Sequence, residues 1–128
     1  MKTTLIKRLL FLLLVPLFIS SCEEDESGHG NYAIWVSNPT QKSYSVQVLL
    51  DGQNQGSFVV KAEVWGNLSR ICNDLVSNAG RQNVMILNYV SAGTHKLTLK
   101  DNGTGKILFT AEFKMKADGC ISQQFELQ

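Results

Sequence analysis

From Tyr32 onward, apolar residues recur at every second position, and this period restricts the possible folds more than any other feature of the chain. Successive side chains of a β-strand point to opposite faces, so a period of two predicts strands with one buried face. About seven such segments can be read. Their apolar positions are Tyr32, Ile34 and Val36; Tyr44, Val46, Val48 and Leu50; Phe58 to Val60; Val84 to Val90; Leu97 and Leu99; Ile107 to Met115; and Ile121 to Leu127.

Turn residues separate these segments. Asn38-Pro39 ends the first, Asp51-Gly52 begins an expected loop over 52–56, and Asp101 to Gly105 is a hairpin signal. One apolar face per strand can supply a single core. We therefore predict an all-β fold, a single antiparallel β-sandwich of about seven strands, over residues 31–128.

One segment departs from the period of two. Its apolar residues have the i, i+3, i+4, i+7, i+8 spacing of a helical stripe, and they are Leu68, Ile71, Cys72, Leu75 and Val76. We expect one short helix in the 67–78 insertion. An irregular crossover with a short strand at 70–73 is the alternative.

The first residues have the order of a secretory signal. Basic Lys2, Lys7 and Arg8 precede an apolar run from Leu9 to Ile19, and small serines follow it. The run is shorter than the ~20 apolar residues of a membrane-spanning helix. Residues 1–21 are therefore interpreted as a signal peptide.

The four residues Ile19-Ser20-Ser21-Cys22 resemble the lipobox of bacterial lipoproteins. The resemblance implies that Cys22 receives a diacylglycerol group, that cleavage precedes it, and that an acyl chain such as palmitate is added to the new amino terminus. Several chains on one residue anchor a soluble domain firmly, since each buried methylene contributes about 0.8 kcal/mol. The alternative is an ordinary signal peptide followed by a chance cysteine.

An acidic run, Glu23 to Glu26, follows Cys22 and precedes Ser27 to Gly30. Anionic headgroups repel such a run, so residues 22–30 are expected to form a solvated tether. The run also resembles the export signal of surface lipoproteins in some Gram-negative bacteria. That resemblance implies the outer face of the cell outer membrane, with the periplasmic leaflet as the alternative.

Two stretches, VQVLLDGQNQG and YVSAGTHKLTLKDNGTGK, resemble the PEGA-like group of small, immunoglobulin-like β-sandwich domains. The shared features are Asp51-Gly52 at the end of one strand and Ala92-Gly93-Thr94-His95 leading into another. This chain lacks the proline-centred core of that group's motif and carries an insertion from Glu63 to Gly80. The resemblance implies a binding or spacer module of the cell envelope and brings no catalytic residue.

If Cys22 carries lipid, Cys72 and Cys120 remain as a pair. In an exported protein such a pair predicts a disulfide, with two buried thiols as the alternative.

Distant cysteines and the isolated His29 lack the spacing of a metal site, so we expect neither metal nor cofactor. His95 is interpreted as a hydrogen-bonded structural histidine, because no Ser-His-acid set or G-x-S-x-G turn can be read.

The chain has two tryptophans. Trp35 is expected in the core, whereas Trp65 lies in the insertion and is the candidate ligand contact, because an exposed indole can stack on a sugar ring.

With a formal net charge of +1 and no basic stripe, the chain gives no sign of nucleic-acid binding. The sequence thus predicts a lipid-anchored envelope lipoprotein, without enzymatic activity, that binds a glycan or a protein or acts as a structural module. The alternative is a small envelope inhibitor or immunity-type protein that binds a partner enzyme.

Overall fold

The computed structural model describes residues 27–65, 72–77 and 82–128. In these ranges the chain forms seven strands and one short helix. In chain order they are β1 (His29–Ser37), β2 (Tyr44–Leu50), β3 (Gln53–Val60), α1 (Cys72–Ser77), β4 (Val84–Ser91), β5 (Gly93–Asp101), β6 (Ile107–Met115) and β7 (Cys120–Glu126).

The strands form a three-stranded sheet with the order β4-β1-β7 and a four-stranded sheet with the order β3-β2-β5-β6. The predicted all-β sandwich is confirmed. Within the described residues every strand pair is antiparallel except β1 with β7, which run parallel. Side chains alternate in the same way in parallel and antiparallel strands, so the sequence pattern carries no sign of this pair's direction.

The core lies between the two sheets and takes one face of each strand. Tyr32, Ile34 and Val36 of β1 lie at its centre, each at most 1% exposed. The other buried members are Val46, Val48, Val60, Leu87, Val90, Leu97, Leu99, Met115, Phe125 and Leu127. The period of two therefore identified the inner faces correctly, except at Ile107, which is 57% exposed.

Tyr32 brings a polar group into this core. The Tyr32 hydroxyl donates a hydrogen bond to Oε1 of Gln123, and the Tyr32 ring stacks on Phe113 at 4.1 Å between centroids. Burial raises the pKa of Tyr32 to about 12. The hydroxyl is therefore a hydrogen-bond donor throughout the physiological range, and its partner offsets the cost of burying it.

The outer face of β1 is buried as well. Ala33 is fully buried and Trp35 is 4% exposed, which confirms the prediction that Trp35 is a core residue. Cys72 and Val76 of α1 pack on Ala33. The predicted short helix is confirmed at 72–77, and the rest of its expected range lies outside the described residues.

Cys72 and Cys120 form a disulfide, as expected from the sequence. The bond joins the first residue of α1 to the first residue of β7 across 48 positions of sequence. Cys120 is also paired with Asn31 of β1 in the sheet. The disulfide therefore holds the helix against the outer face of the central strand.

The loop expected at 52–56 is shorter in the structure. Asp51 and Gly52 form a tight turn with positive φ angles of 51° and 81°, and β3 begins directly afterwards at Gln53. Positive φ at both central positions is the geometry of a type I′ hairpin, for which Asp-Gly is a preferred pair. β1 likewise begins at His29, so it includes two residues that the sequence analysis placed in the tether.

The sandwich has two distinct ends. The His29 end, defined by the start of β1, also carries the turns 51–52, 91–93 and 116–119. The opposite end, named the Trp65 end, carries the end of β1 and residues 61–65. With nine residues in β1 and a rise of about 3.3 Å per residue, the ends are about 30 Å apart.

Replacement of both disulfide cysteines, Cys72→Ser with Cys120→Ser, should lower the free energy of unfolding by about 4 kcal/mol in the chain-entropy model. The larger conformational entropy of the unfolded chain is the physical reason. Urea unfolding followed by circular dichroism measures the change. Wild-type protein under reducing conditions should behave like the double variant, whereas a Cys22→Ser control should not. Equal midpoints for wild type and double variant would contradict a structural role for this disulfide.

Candidate functional site: the Trp65 end

Trp65 is the exposed tryptophan of the chain, with 63% of its side chain accessible. The preceding residue, Val64, forms an isolated antiparallel bridge with Asn38, which directly follows β1. Their backbones exchange two hydrogen bonds, from Asn38 N–H to Val64 O at 2.7 Å and from Val64 N–H to Asn38 O at 3.0 Å. The backbone before Trp65 is thus tied to the central strand of the sandwich.

Asn38 organises this end of the molecule and is itself fully buried. Its Nδ2 donates to the carbonyl oxygens of Lys42 and Lys61, at 2.8 and 3.1 Å. Its Oδ1 accepts from the Thr40 backbone N–H at 3.1 Å and the Thr40 hydroxyl at 2.7 Å. All side-chain hydrogen-bonding positions of Asn38 are therefore used, and they tie the segment 40–42 to Lys61.

A second buried asparagine fixes the same segment. Asn83 accepts a hydrogen bond from the Lys61 N–H at 2.7 Å and donates one to the Lys61 carbonyl at 3.1 Å. Its own carbonyl accepts from the Val36 N–H at 2.9 Å. The sequence predicts a turn at Asn38 but gives no sign of its bond to Lys61 or of the role of Asn83, because these partners are distant in sequence.

The Trp65 indole is therefore presented from a backbone that is fixed by hydrogen bonds. An exposed indole on a fixed support can stack on a sugar ring or fill a pocket on a protein, and tryptophan is enriched among energetically dominant interface residues. Lys42 and Glu63 add exposed polar side chains to this end. The backbone N–H of Glu63 donates a hydrogen bond to Thr40 O at 3.0 Å. The arrangement suits binding.

The structure also brings together a Ser-His-Asp set that sequence reasoning did not find. At the His29 end, Nδ1 of His95 lies 2.6 Å from Oδ2 of Asp51. Its Nε2 lies 2.7 Å from the backbone oxygen of Ser91 and 3.3 Å from the Ser91 hydroxyl. The Asp51-Gly52 turn and the turn before His95 lie side by side at this end. The sequence carries no sign that these two turns are neighbours, and the set could therefore not be found from it.

These contacts make His95 a donor on both ring nitrogens. A carbonyl oxygen and a carboxylate can only accept, so the geometry selects the imidazolium form of His95. Burial lowers the pKa of His95, but the hydrogen bonds to Asp51 and Ser91 outweigh it, and the pKa is raised above the usual 6.5. With Nε2–H directed at the carbonyl, His95 has no free lone pair with which to take a proton from the Ser91 hydroxyl.

The Asp51 carboxylate is also held in its charged form. Its Oδ1 accepts a hydrogen bond from the Lys96 N–H at 2.8 Å. That bond, and then the bond to His95, hold the pKa of Asp51 below its usual 3.8. The prediction of a hydrogen-bonded histidine is thus confirmed, and the pair joins the 51–52 turn to β5.

The remaining predicted site residues stand as follows. Cys22 lies outside the described residues, and Cys72 with Cys120 forms the disulfide. Within the ranges that the structure describes, no three His, Cys, Asp or Glu side chains are grouped closely enough to hold a metal ion. The helix present there is too short to cross a membrane.

Comparison with models of protein families and with curated protein sequences finds no match for this chain.

The His95–Asp51 pair should make stability depend on pH. The raised pKa of His95 means that its contribution is full below about pH 6.5 and is lost as pH rises through the folded-state pKa. The lowered pKa of Asp51 means that its contribution is lost as pH falls through its own folded-state value. Because Asp51 is 49% exposed, we expect an effect of at most about 1 kcal/mol.

The variant Asp51→Asn isolates this effect, because an amide oxygen can still accept from the Lys96 N–H. The stability difference between wild type and variant should be larger at about pH 6 than at about pH 9, because the contribution of the His95 imidazolium is lost as pH rises through its folded-state pKa. Urea unfolding at the two pH values measures it. Glu112→Gln, which removes an exposed carboxylate on β6, is the control. A difference that does not change with pH would contradict the imidazolium assignment.

Proposed function

We propose that this protein is a lipid-anchored lipoprotein of a Gram-negative outer membrane, exposed on the cell surface, that acts as a non-catalytic binding or structural module. The observation that carries the proposal is the run Ile19-Ser20-Ser21-Cys22, followed by four acidic residues, directly before a β-sandwich. Lipid at Cys22 supplies the anchor and the folded domain supplies the binding surface.

The path of the chain into the domain supports this arrangement. From Cys22 to His29 an extended chain reaches about 25 Å at most. The His29 end of the sandwich therefore remains near the membrane, while the Trp65 end lies about 30 Å further along β1. In this proposal the fixed, exposed Trp65 indole points away from the lipid surface and is available to an external partner.

The contacts of the described polar residues support binding rather than catalysis. The Ser-His-Asp set found among the described residues lacks a free basic nitrogen, because both His95 ring nitrogens face acceptors. The buried polar side chains Asn38 and Asn83 use their amides to tie backbone segments together. A general base needs an accessible lone pair near its substrate, and these groups do not provide one.

A second candidate function is a small envelope inhibitor or immunity-type protein that binds a partner enzyme. The fixed, exposed Trp65 favours it, because a single indole of this kind can dominate a protein interface. This candidate predicts a one-to-one complex whose affinity falls at least about tenfold in Trp65→Ala. A glycan-binding module would form no such one-to-one complex with a protein.

Metabolic labelling with an alkyne-tagged fatty acid tests the anchor. Full-length protein expressed in a Gram-negative host should acquire the label at Cys22, and Cys22→Ala should lose it. Cys72→Ser, which alters a different cysteine, is the control and should keep the label. Label that persists in Cys22→Ala would refute lipidation at that residue.

Protease treatment of intact cells tests exposure on the surface. We expect the wild-type domain to be degraded without lysis of the cells. Replacing all four acids from Glu23 to Glu26 by alanine should protect it, because the export signal is then removed while Cys22 remains. Full protection of the wild-type protein, with degradation only after lysis, would instead indicate the periplasmic leaflet.

A further inference from the structure

A cavity of about 260 Å³ opens at the His29 end of the sandwich. We call it the His29 pocket. It is lined by His29, Gly30, Asn31, Tyr89, Asp118 and Gly119. These residues come from the start of β1, the end of β4 and the turn before β7, and none belongs to the Trp65 end.

Tyr89 forms one wall of the pocket and is placed there by a β-bulge. Gly30 pairs with Val90 and Tyr32 pairs with Leu87, so two residues of β4 stand opposite one of β1. Tyr89 has a φ of 60° and is 83% exposed. The near-continuous apolar pattern predicted an ordinary strand position here. A bulky residue with positive φ is rare, and bulges often redirect a side chain towards a site.

His29 provides a second ring beside Tyr89. The two rings meet edge to face, with centroids 6.5 Å apart and an interplanar angle of 75°. Both side chains are exposed, so the contact does not form part of the core. The pair presents an aromatic wall to solvent.

Glycines form the floor of the pocket. A Cβ on Gly119 would come within 2.7 Å of the Lys116 carbonyl oxygen, and one on Gly30 would collide with the Met115 sulfur and the Gly119 oxygen. The close approach lets the backbones bond directly, from Asn31 N–H to Gly119 O and from Asp118 N–H to His29 O, both at 2.9 Å. The floor is thus rigid and its backbone groups are already paired.

The side chains that line the pocket, in contrast to its backbone, have unused hydrogen-bonding groups. Within the described part of the chain, no hydrogen bond involves the side chains of His29, Asn31, Tyr89 or Asp118. The Asp118 carboxylate accepts only, while the Asn31 amide, the His29 ring and the Tyr89 hydroxyl can donate and accept. Asp118 is the acidic side chain of the lining, so the site disfavours anions.

We propose that the His29 pocket binds a single sugar ring of a neutral glycan. The Tyr89 ring packs on the apolar C–H face of the sugar, and Asp118 accepts hydrogen bonds from two neighbouring hydroxyl groups. Asn31 and His29 complete the polar contacts. The volume lies just below the usual range of drug-sized pockets, about 300–1,000 Å³, so it suits one ring rather than a larger ligand.

The inference concerns a different end of the domain from Trp65 and adds a ligand class to the proposed binding module. The pocket lies where the tether leaves the domain, so the sugar can belong to a soluble glycan or to a glycolipid headgroup. The chemistry recognised is the same in both cases. Lipidation at Cys22 can hold or fail independently of sugar binding, because the two use separate residues and separate readouts.

The test is binding of the full chain, purified in detergent, to an array of immobilised neutral oligosaccharides. Tyr89→Gly removes the ring and tolerates the positive φ, so it should lower affinity by at least about tenfold while the melting temperature is retained. Tyr89→Phe keeps the stacking face and should stay within about threefold of wild type. Asp118→Asn removes a strong acceptor and should also weaken binding by about tenfold.

Ile107→Ala is the matched control, since it removes an exposed apolar side chain, 57% accessible, that does not line the pocket, and it should bind like wild type. Competition by free oligosaccharide would identify a soluble glycan. Competition only by micelles carrying a galactosyl diacylglycerol would identify a membrane headgroup, and either result supports the proposal. It is overturned if wild type binds no sugar on the array, if Tyr89→Gly binds normally, or if Trp65→Ala alone loses binding. In that last case the binding module stands and its site lies at the Trp65 end.

Discussion

The structure depends on the burial of β1 on both faces. Tyr32, Ile34 and Val36 face the core between the sheets, while Ala33 and Trp35 on the opposite face are also buried. A three-stranded sheet with one face in water would leave that second set exposed. The helix α1 packs on Ala33, and the Cys72–Cys120 disulfide fixes the helix to β7 beside β1. The small domain gains a second, smaller cluster of buried side chains in this way.

A strand that is fixed along its whole length also separates the two ends of the domain. At one end, Asn38 and Asn83 tie the backbone around Trp65 with hydrogen bonds. At the other end, Gly30 and Gly119 bring two backbones into direct contact beneath Tyr89. Each end therefore presents an exposed aromatic side chain from a rigid support, and rigid presentation reduces the entropy that binding must overcome.

The sequence predicted the strands and their inner faces because alternation directly reflects side-chain direction. It also predicted the Cys72–Cys120 bond, the burial of Trp35 and a short helix near Cys72. It missed the parallel β1–β7 pair, the bulge at Tyr89 and the partners of His95, since each depends on which distant segments become neighbours. His95 and Asp51, for example, are 44 positions apart and meet only because β2 pairs with β5. Most side chains of the candidate sites likewise depend on which distant segments become neighbours, so the sequence did not predict their arrangement.

Hydrogen exchange of the full, oxidised chain tests the central position of β1 most directly. Amides of a strand paired on both sides and buried on both faces exchange only through global unfolding, whereas edge strands open locally. We expect the amides from Ala33 to Val36 to exchange last, well after those of the edge strand β3, and to exchange faster once the disulfide is reduced. Exchange in β1 as fast as in β3, or unchanged by reduction, would contradict this account.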